Sequence, residues 1–135
     1  MSRHLPSRRT RGRASAVTVD EFEELVRQAL DTLPPDYAQV MKNVAVMVEE
    51  EPPRDVLDDL GLESEDDLLG LYVGNAGDDE AFFAPGGTLP DRIYIYRGPI
   101  LRLCRTRREV IREVRETVVH EIGHHFGLSD DDMPF

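Results

Sequence analysis

The sequence predicts an α+β fold, with helices packed on a small mixed sheet of three or four strands. Three observations carry this. Thr18–Leu33 and Thr106–Phe126 place apolar residues at helical spacing behind capping signatures. Asn43–Val48 and Asp91–Arg97 alternate side chains at the two-residue period of a strand. The longest helical stretch comes last, near the C-terminus, and ends in a dense run of polar residues.

Residues 1–17 read as a disordered basic arm with little apolar content, and 18–135 as a single domain. Thr18 opens the first helix, and Glu21 three residues on completes a capping box. Phe22, Leu25, Val26, Ala29, Leu30 and Leu33 form its apolar stripe. Pro34 and Pro35 end it, and Pro35 starts a short second helix through Met41. In the strand from Asn43, Val44, Val46 and Val48 point one way and Ala45 and Met47 the other, so an interior strand is expected. Pro53–Leu60 is a short helix closed by Gly61, and Ser64 caps a further turn. Leu68–Val73 fits helix and strand equally. Residues 74–90 form a long loop in which Ala81–Ala84 is a candidate edge strand. Asp91–Arg97 is a strand with Ile93 and Ile95 on one face and Tyr94 and Tyr96 on the other. Gly98-Pro99 breaks it, and Ile100–Cys104 is a connecting turn or short helix. Thr106 and Glu109 form a second capping box, and Val110, Val114, Val118 and Ile122 make the stripe of the last helix.

Composition limits the function classes. No apolar run approaches the ~20 residues of a membrane span. The basic start is followed by no apolar segment, and Cys104 is the single cysteine, so a reducing, cytoplasmic compartment is expected. The net charge of −11 hides an asymmetry: five arginines lie in the first thirteen residues, which leaves −16 on the remainder. An acidic body repels nucleic acid, so contact with it is expected only through the Arg-rich arm.

The chemistry gathers in the last sixteen residues. His120-Glu121-Ile122-Gly123-His124 is an H-E-x-x-H pattern. Residues four apart lie about 400° round a helix, so both imidazoles leave nearly one face, one turn apart, and can share one tetrahedral ion. Glu121 stands about 100° off that row, placed as a general base for water rather than as a ligand. Gly127, three residues after His124, can turn the chain so that Asp130 returns as a third ligand. Asp131 and Asp132 are the alternatives at that position. Two imidazoles and a carboxylate leave one position of a zinc ion, Zn2+, open for water, as catalytic zinc requires.

The extended pattern H-E-x-x-H-x-x-G-x-x-D resembles the metzincin clan of zinc metallopeptidases in its variant with Asp as third ligand. More closely, HEIGHHFGLSDDDM, NVAVMVEEEP (43–52), LLGLYVG (68–74) and LPDRIYIYRGPI (89–100) resemble a family of small bacterial zincin-like metallopeptidases. The resemblance implies a minimal zincin-like fold, zinc on His120, His124 and Asp130, Glu121 as catalytic base, and peptide or protein substrates. In zincins an edge strand at the cleft rim pairs with the extended substrate, which implies that role for Ala81–Ala84 or Arg92–Arg97. Larger metzincins carry a methionine turn well past the third ligand; here Met133 is the only candidate, so part of the usual cleft is expected to be missing.

Other residues have plainer readings. His125 points about 100° away from the ligand row and suits a packing or hydrogen-bonding role. Tyr72, Tyr94 and Tyr96 suit packing better than oxyanion donation, and Cys104 a buried apolar site. Two further function classes remain open beside the metallopeptidase: a non-catalytic zinc-binding interaction domain, and a metal-dependent endoribonuclease with similar histidine spacing. The sequence does not decide the oligomeric state.

Overall fold

The computed structural model describes residues 16–74 and 90–126, which form five α-helices, one short 3-10 turn and a three-stranded sheet. The expected α+β architecture holds. Helix α1 (Val19–Leu30) starts as expected: Thr18 Oγ1 accepts the Glu21 N–H at 3.1 Å, and Glu21 Oε1 accepts the Thr18 N–H at 2.9 Å. Two otherwise orphaned donors are satisfied at once. Its stripe, Phe22, Leu25, Val26 and Ala29, is buried. Val17, assigned to the arm by composition, is only 1% exposed, and its carbonyl accepts from Arg97 Nη2 at 2.5 Å. The body therefore includes it, and residues 1–15 of the expected arm lie outside the described residues.

Helix α2 (Pro35–Met41) leads into β1 (Val44–Glu49), and α3 (Arg54–Leu60) follows. Gly61 closes α3 in the left-handed region at φ 74°, the conformation for which glycine carries no penalty. After the 3-10 turn Glu65–Asp67 come β2 (Gly70–Val73) and β3 (Asp91–Tyr96). Helix α4 (Arg97–Leu103) begins directly at the end of β3, one turn earlier than the Gly98-Pro99 break suggests. Pro99 sits in its first turn, where a missing N–H costs nothing. Helix α5 (Arg107–His125) closes the described chain. Thr106 Oγ1 caps it by accepting the Glu109 N–H at 3.1 Å, but the reciprocal half of the expected box is not made. Glu109 Oε1 accepts instead from the Arg105 N–H at 2.6 Å.

The strand order is β1-β3-β2, with β1 parallel and β2 antiparallel to β3. This corrects two expectations. Among the described residues β1 lies at an edge, since it pairs with β3 alone, and Met47 on its second face is 37% exposed. Asp91–Tyr96 is the central strand, so it cannot be the rim strand that meets a substrate. Its two well-covered faces explain the position: Ile93 and Ile95 are fully buried in the main core, while Tyr96 packs with Leu57 and Leu68 on the opposite face. Leu68–Val73 resolves as strand from Gly70 onward, and Ala81–Ala84 lies outside the described residues.

The main core lies between one sheet face and helices α1 and α5. Val110, Val114 and Val118 are fully buried and Ile122 is 3% exposed, so the predicted stripe seats α5 on the sheet. Ile122 is two residues from both His120 and His124, about 200° round the helix. Burying it turns the two histidines away from the core.

Candidate active site

The last two turns of α5 and β2, an edge strand among the described residues, build the site. His120 and His124 stand one turn apart with ring centroids separated by 6.2 Å. His120 Nδ1 lies 3.0 Å from the Glu116 carbonyl oxygen. A carbonyl only accepts, so Nδ1 carries the proton, and the lone pair is left on Nε2, the outer nitrogen. With Nδ1 donating to the main chain, Nε2 is the nitrogen left to coordinate, and imidazole is a usual zinc donor, so the donor chemistry fits zinc. Among the described residues no third His, Cys, Asp or Glu joins this pair. Asp130, its alternatives Asp131 and Asp132, the turn residue Gly127 and Met133 all lie outside the described residues.

Glu121 is brought to the same place by a contact that no sequence signal marks. The Tyr96 N–H donates to the Leu69 carbonyl at 2.9 Å, which sets the ladder so that alternate residues of β2 bond to β3. Tyr72 falls on the other phase, and its main-chain N–H donates to Glu121 Oε1 at 3.0 Å. Burial pushes the Glu121 carboxyl above the ordinary range; the Tyr72 N–H and the neighbouring His124 and His120 oppose that shift. Beside Glu121 and His120 lies a cavity of about 280 Å³, bordered by Gly70 and by the carboxylates of Asp67, Glu113 and Glu116. Gly70 permits the close approach of β2 to α5, since a Cβ there would fall 2.7 Å from Thr117 Cγ2.

The remaining sequence candidates separate cleanly. Tyr72 is 8% exposed and its hydroxyl donates to Asp91 Oδ2 at 2.7 Å, so the phenol is engaged rather than presented to a substrate. Burial, then Asp91, pushes that phenol well above its usual range. His125 stacks on Tyr72 with centroids 4.2 Å apart, the packing role expected of it. Tyr94 stacks on Tyr96 at 6.4 Å and accepts from Arg92 Nη1 at 3.0 Å, on the sheet face away from the site. Cys104 is buried and its thiol is pushed up to about 12 by burial, which leaves it a packing residue. Tyr72 is the residue whose part in the site the sequence did not disclose. Its contact with Glu121 depends on sheet register and on residues 49 apart.

Among the described residues no helix is long and apolar enough to cross a membrane. The sequence matches none of the curated proteins. Among solved structures, a conserved hypothetical protein from T. thermophilus is similar, with a TM-score of 0.52 and 26% identity, over 81% of this chain and 94% of that one. A family model for zincin-like metallopeptidases matches residues 41–134, a span that holds β1 to β3, all of α5 and the H-E-x-x-H pattern.

Proposed function

Because the chain belongs to the zincin-like metallopeptidase family, we propose that it is a zinc-dependent peptidase with His120 and His124 as ligands, Asp130 as third ligand and Glu121 as general base. The observation that carries this reading is the pairing of a tautomer-fixed His120 with a half-buried carboxylate on the next residue, itself tied to an edge strand. Zinc, when bound, supplies acidification of water and polarisation of a carbonyl.

The chain's own residues supply the rest. Glu121 takes the proton from the attacking water and later delivers it to the leaving amine. Burial suits it to this, because a carboxylate with a raised pKa is a stronger base than one in open solvent. The carboxylates beside the cavity add to the strongly acidic field of the body, so cationic peptides are drawn to this face at low salt.

Wild type and Glu121→Gln, both zinc-loaded, are to be incubated with a mixed peptide library with and without chelator. Chelator-sensitive cleavage by wild type, lost in the variant, is the expected result. Absence of cleavage by wild type that nonetheless binds zinc would favour the non-catalytic zinc-binding domain.

A further inference from the structure

We propose that Tyr72 is a positioning residue for this site. Its main-chain N–H orients Glu121, while its ring, tethered to Asp91, seats His125 and so steadies the last turn of α5, which carries His124. The inference rests on the reading above only for the roles of Glu121 and His124.

Four contacts converge on Tyr72 from two elements, β3 and α5 with its C-cap residue. From α5, Glu121 Oε1 accepts its N–H at 3.0 Å. A hydrogen bond to a carboxylate is about twice as strong as a neutral one and directional, so it selects one rotamer of a side chain that otherwise turns freely. From β3, Asp91 Oδ2 accepts the phenol proton at 2.7 Å, which fixes the ring at both ends. From the end of α5, the His125 ring lies on the Tyr72 ring with a tilt of 30°, and Phe126 meets the same ring edge-on at 6.3 Å. The seat has a second wall at Gly74: a Cβ there would fall 2.7 Å from His125 Cε1 and 3.1 Å from its Nε2. A larger residue there would have to displace the imidazole from its present place on Tyr72.

His125 itself is exposed, so burial of apolar area does not explain this arrangement. What the contacts do is mechanical. The final turn of a helix lacks partners for its carbonyls and frays readily. Here a clamp from the sheet holds that turn, and His124 is the residue immediately before the clamped one. Packing alone would not place the same tyrosine's amide on the carboxylate that stands between the two histidines.

The test uses the full chain and reads three quantities that need no substrate. The first is the amide resonance of Tyr72, compared between wild type and Glu121→Gln. The second is hydrogen exchange of the His124 and His125 amides in the metal-free protein. The third is zinc affinity by competition with a chromophoric chelator. The variants are Tyr72→Phe, Tyr72→Leu, His125→Ala, the double variant Tyr72→Leu with His125→Ala, and Leu57→Ala. Leu57 lies in the cluster on the opposite sheet face and serves as a control for general destabilisation.

The Tyr72 amide is expected to shift in Glu121→Gln. Tyr72→Leu and His125→Ala are each expected to speed exchange in the last turn and to weaken zinc about 10-fold to 100-fold, the range typical of groups that orient ligands. The double variant is expected to be no worse than the weaker single one, because both remove the same contact. Tyr72→Phe keeps the stack, loses the tether and should fall between wild type and Tyr72→Leu. Leu57→Ala is expected to lower Tm and leave zinc affinity unchanged. Additive effects in the double variant, or a Tyr72→Leu that differs from wild type no more than Leu57→Ala does, would overturn the seat. An unmoved Tyr72 amide would overturn the link to Glu121. A wild type that cleaves no peptide removes the peptidase reading and leaves all three readouts standing.

Discussion

From Arg107 to Val119, α5 is an anchor: Thr106 caps its start, and Val110, Val114, Val118 and Val119 are fully buried against α1 and the sheet. From His120 to His125 the same helix is half-open. Ile122 and Gly123 alone are buried there, and the polar side chains face outward or meet β2. One continuous backbone thus joins a buried half that bears stability to the half on which the proposed chemistry rests. Rigid support behind an exposed constellation is what a catalytic pair at fixed spacing requires, and local stability is lowest where buried contacts are fewest. The comparison predicts that substitutions in the two halves fall into separate classes, one reading out in Tm and the other in metal and rate.

The sharpest division is expected at Glu121 and the histidines. Glu121→Gln should keep zinc and the fold yet lose about 10²–10⁴ in rate, the usual cost of removing a general base. His120→Ala should lose most bound zinc, measured as metal content by mass spectrometry on protein purified without a metal-affinity tag. Asp130→Ala should weaken zinc more than Asp131→Ala; the reverse order would move the third ligand one residue along. Full zinc retention in a His120→Ala, His124→Ala double variant would remove the metal site from this half of the helix altogether.

The converse holds across the anchor. Phe22, fully buried on α1 in the main core, should cost about 3–5 kcal/mol on truncation to Ala, and Val114→Ala about 2 kcal/mol. Both should lower the denaturation midpoint while the folded protein keeps its zinc affinity. A zinc affinity that falls in step with stability would show that the two halves are one cooperative unit, and the division between them would fail.

This division also tracks what was legible in the sequence. The anchor was readable because its signals are local. Thr18 with Glu21, the proline at the start of α2 and the valine stripe of α5 all act within a few residues of themselves. So was the H-E-x-x-H geometry, since helical spacing alone sets it. Strand roles were not. Whether Asp91–Tyr96 lies at the centre or the rim depends on partners more than 15 residues away, and its even coverage on both faces appears only once β1 and β2 flank it. The Tyr72 amide on Glu121 is less legible still, because a main-chain donor carries no residue signature.

The smallest effect is expected at Glu113, a residue of the anchor half that borders the cavity and tests whether charge beside the site lowers the stability of α5. Glu113 stands seven residues before His120, about 20° from it round the helix, and borders the same cavity. Burial pushes its carboxyl above the ordinary 4.5, and the charge of Glu116 adds to the shift. The sign follows from proton binding. Between the unfolded and the raised folded value, the folded state holds more protons, so stability is full below the unfolded value and falls as pH rises through the folded one. At neutral pH wild type then carries an ionised carboxylate that the fold disfavours, and Glu113→Gln carries none. The variant should match wild type in Tm below about pH 4, where both side chains are neutral, and melt measurably higher at pH 7.5, both as metal-free protein. Comparing the difference between variant and wild type, rather than either Tm alone, cancels the other carboxylates of the chain. An offset of the same size at both pH values would mean that the amide acts through packing, and that charge beside the cavity does not lower the stability of α5.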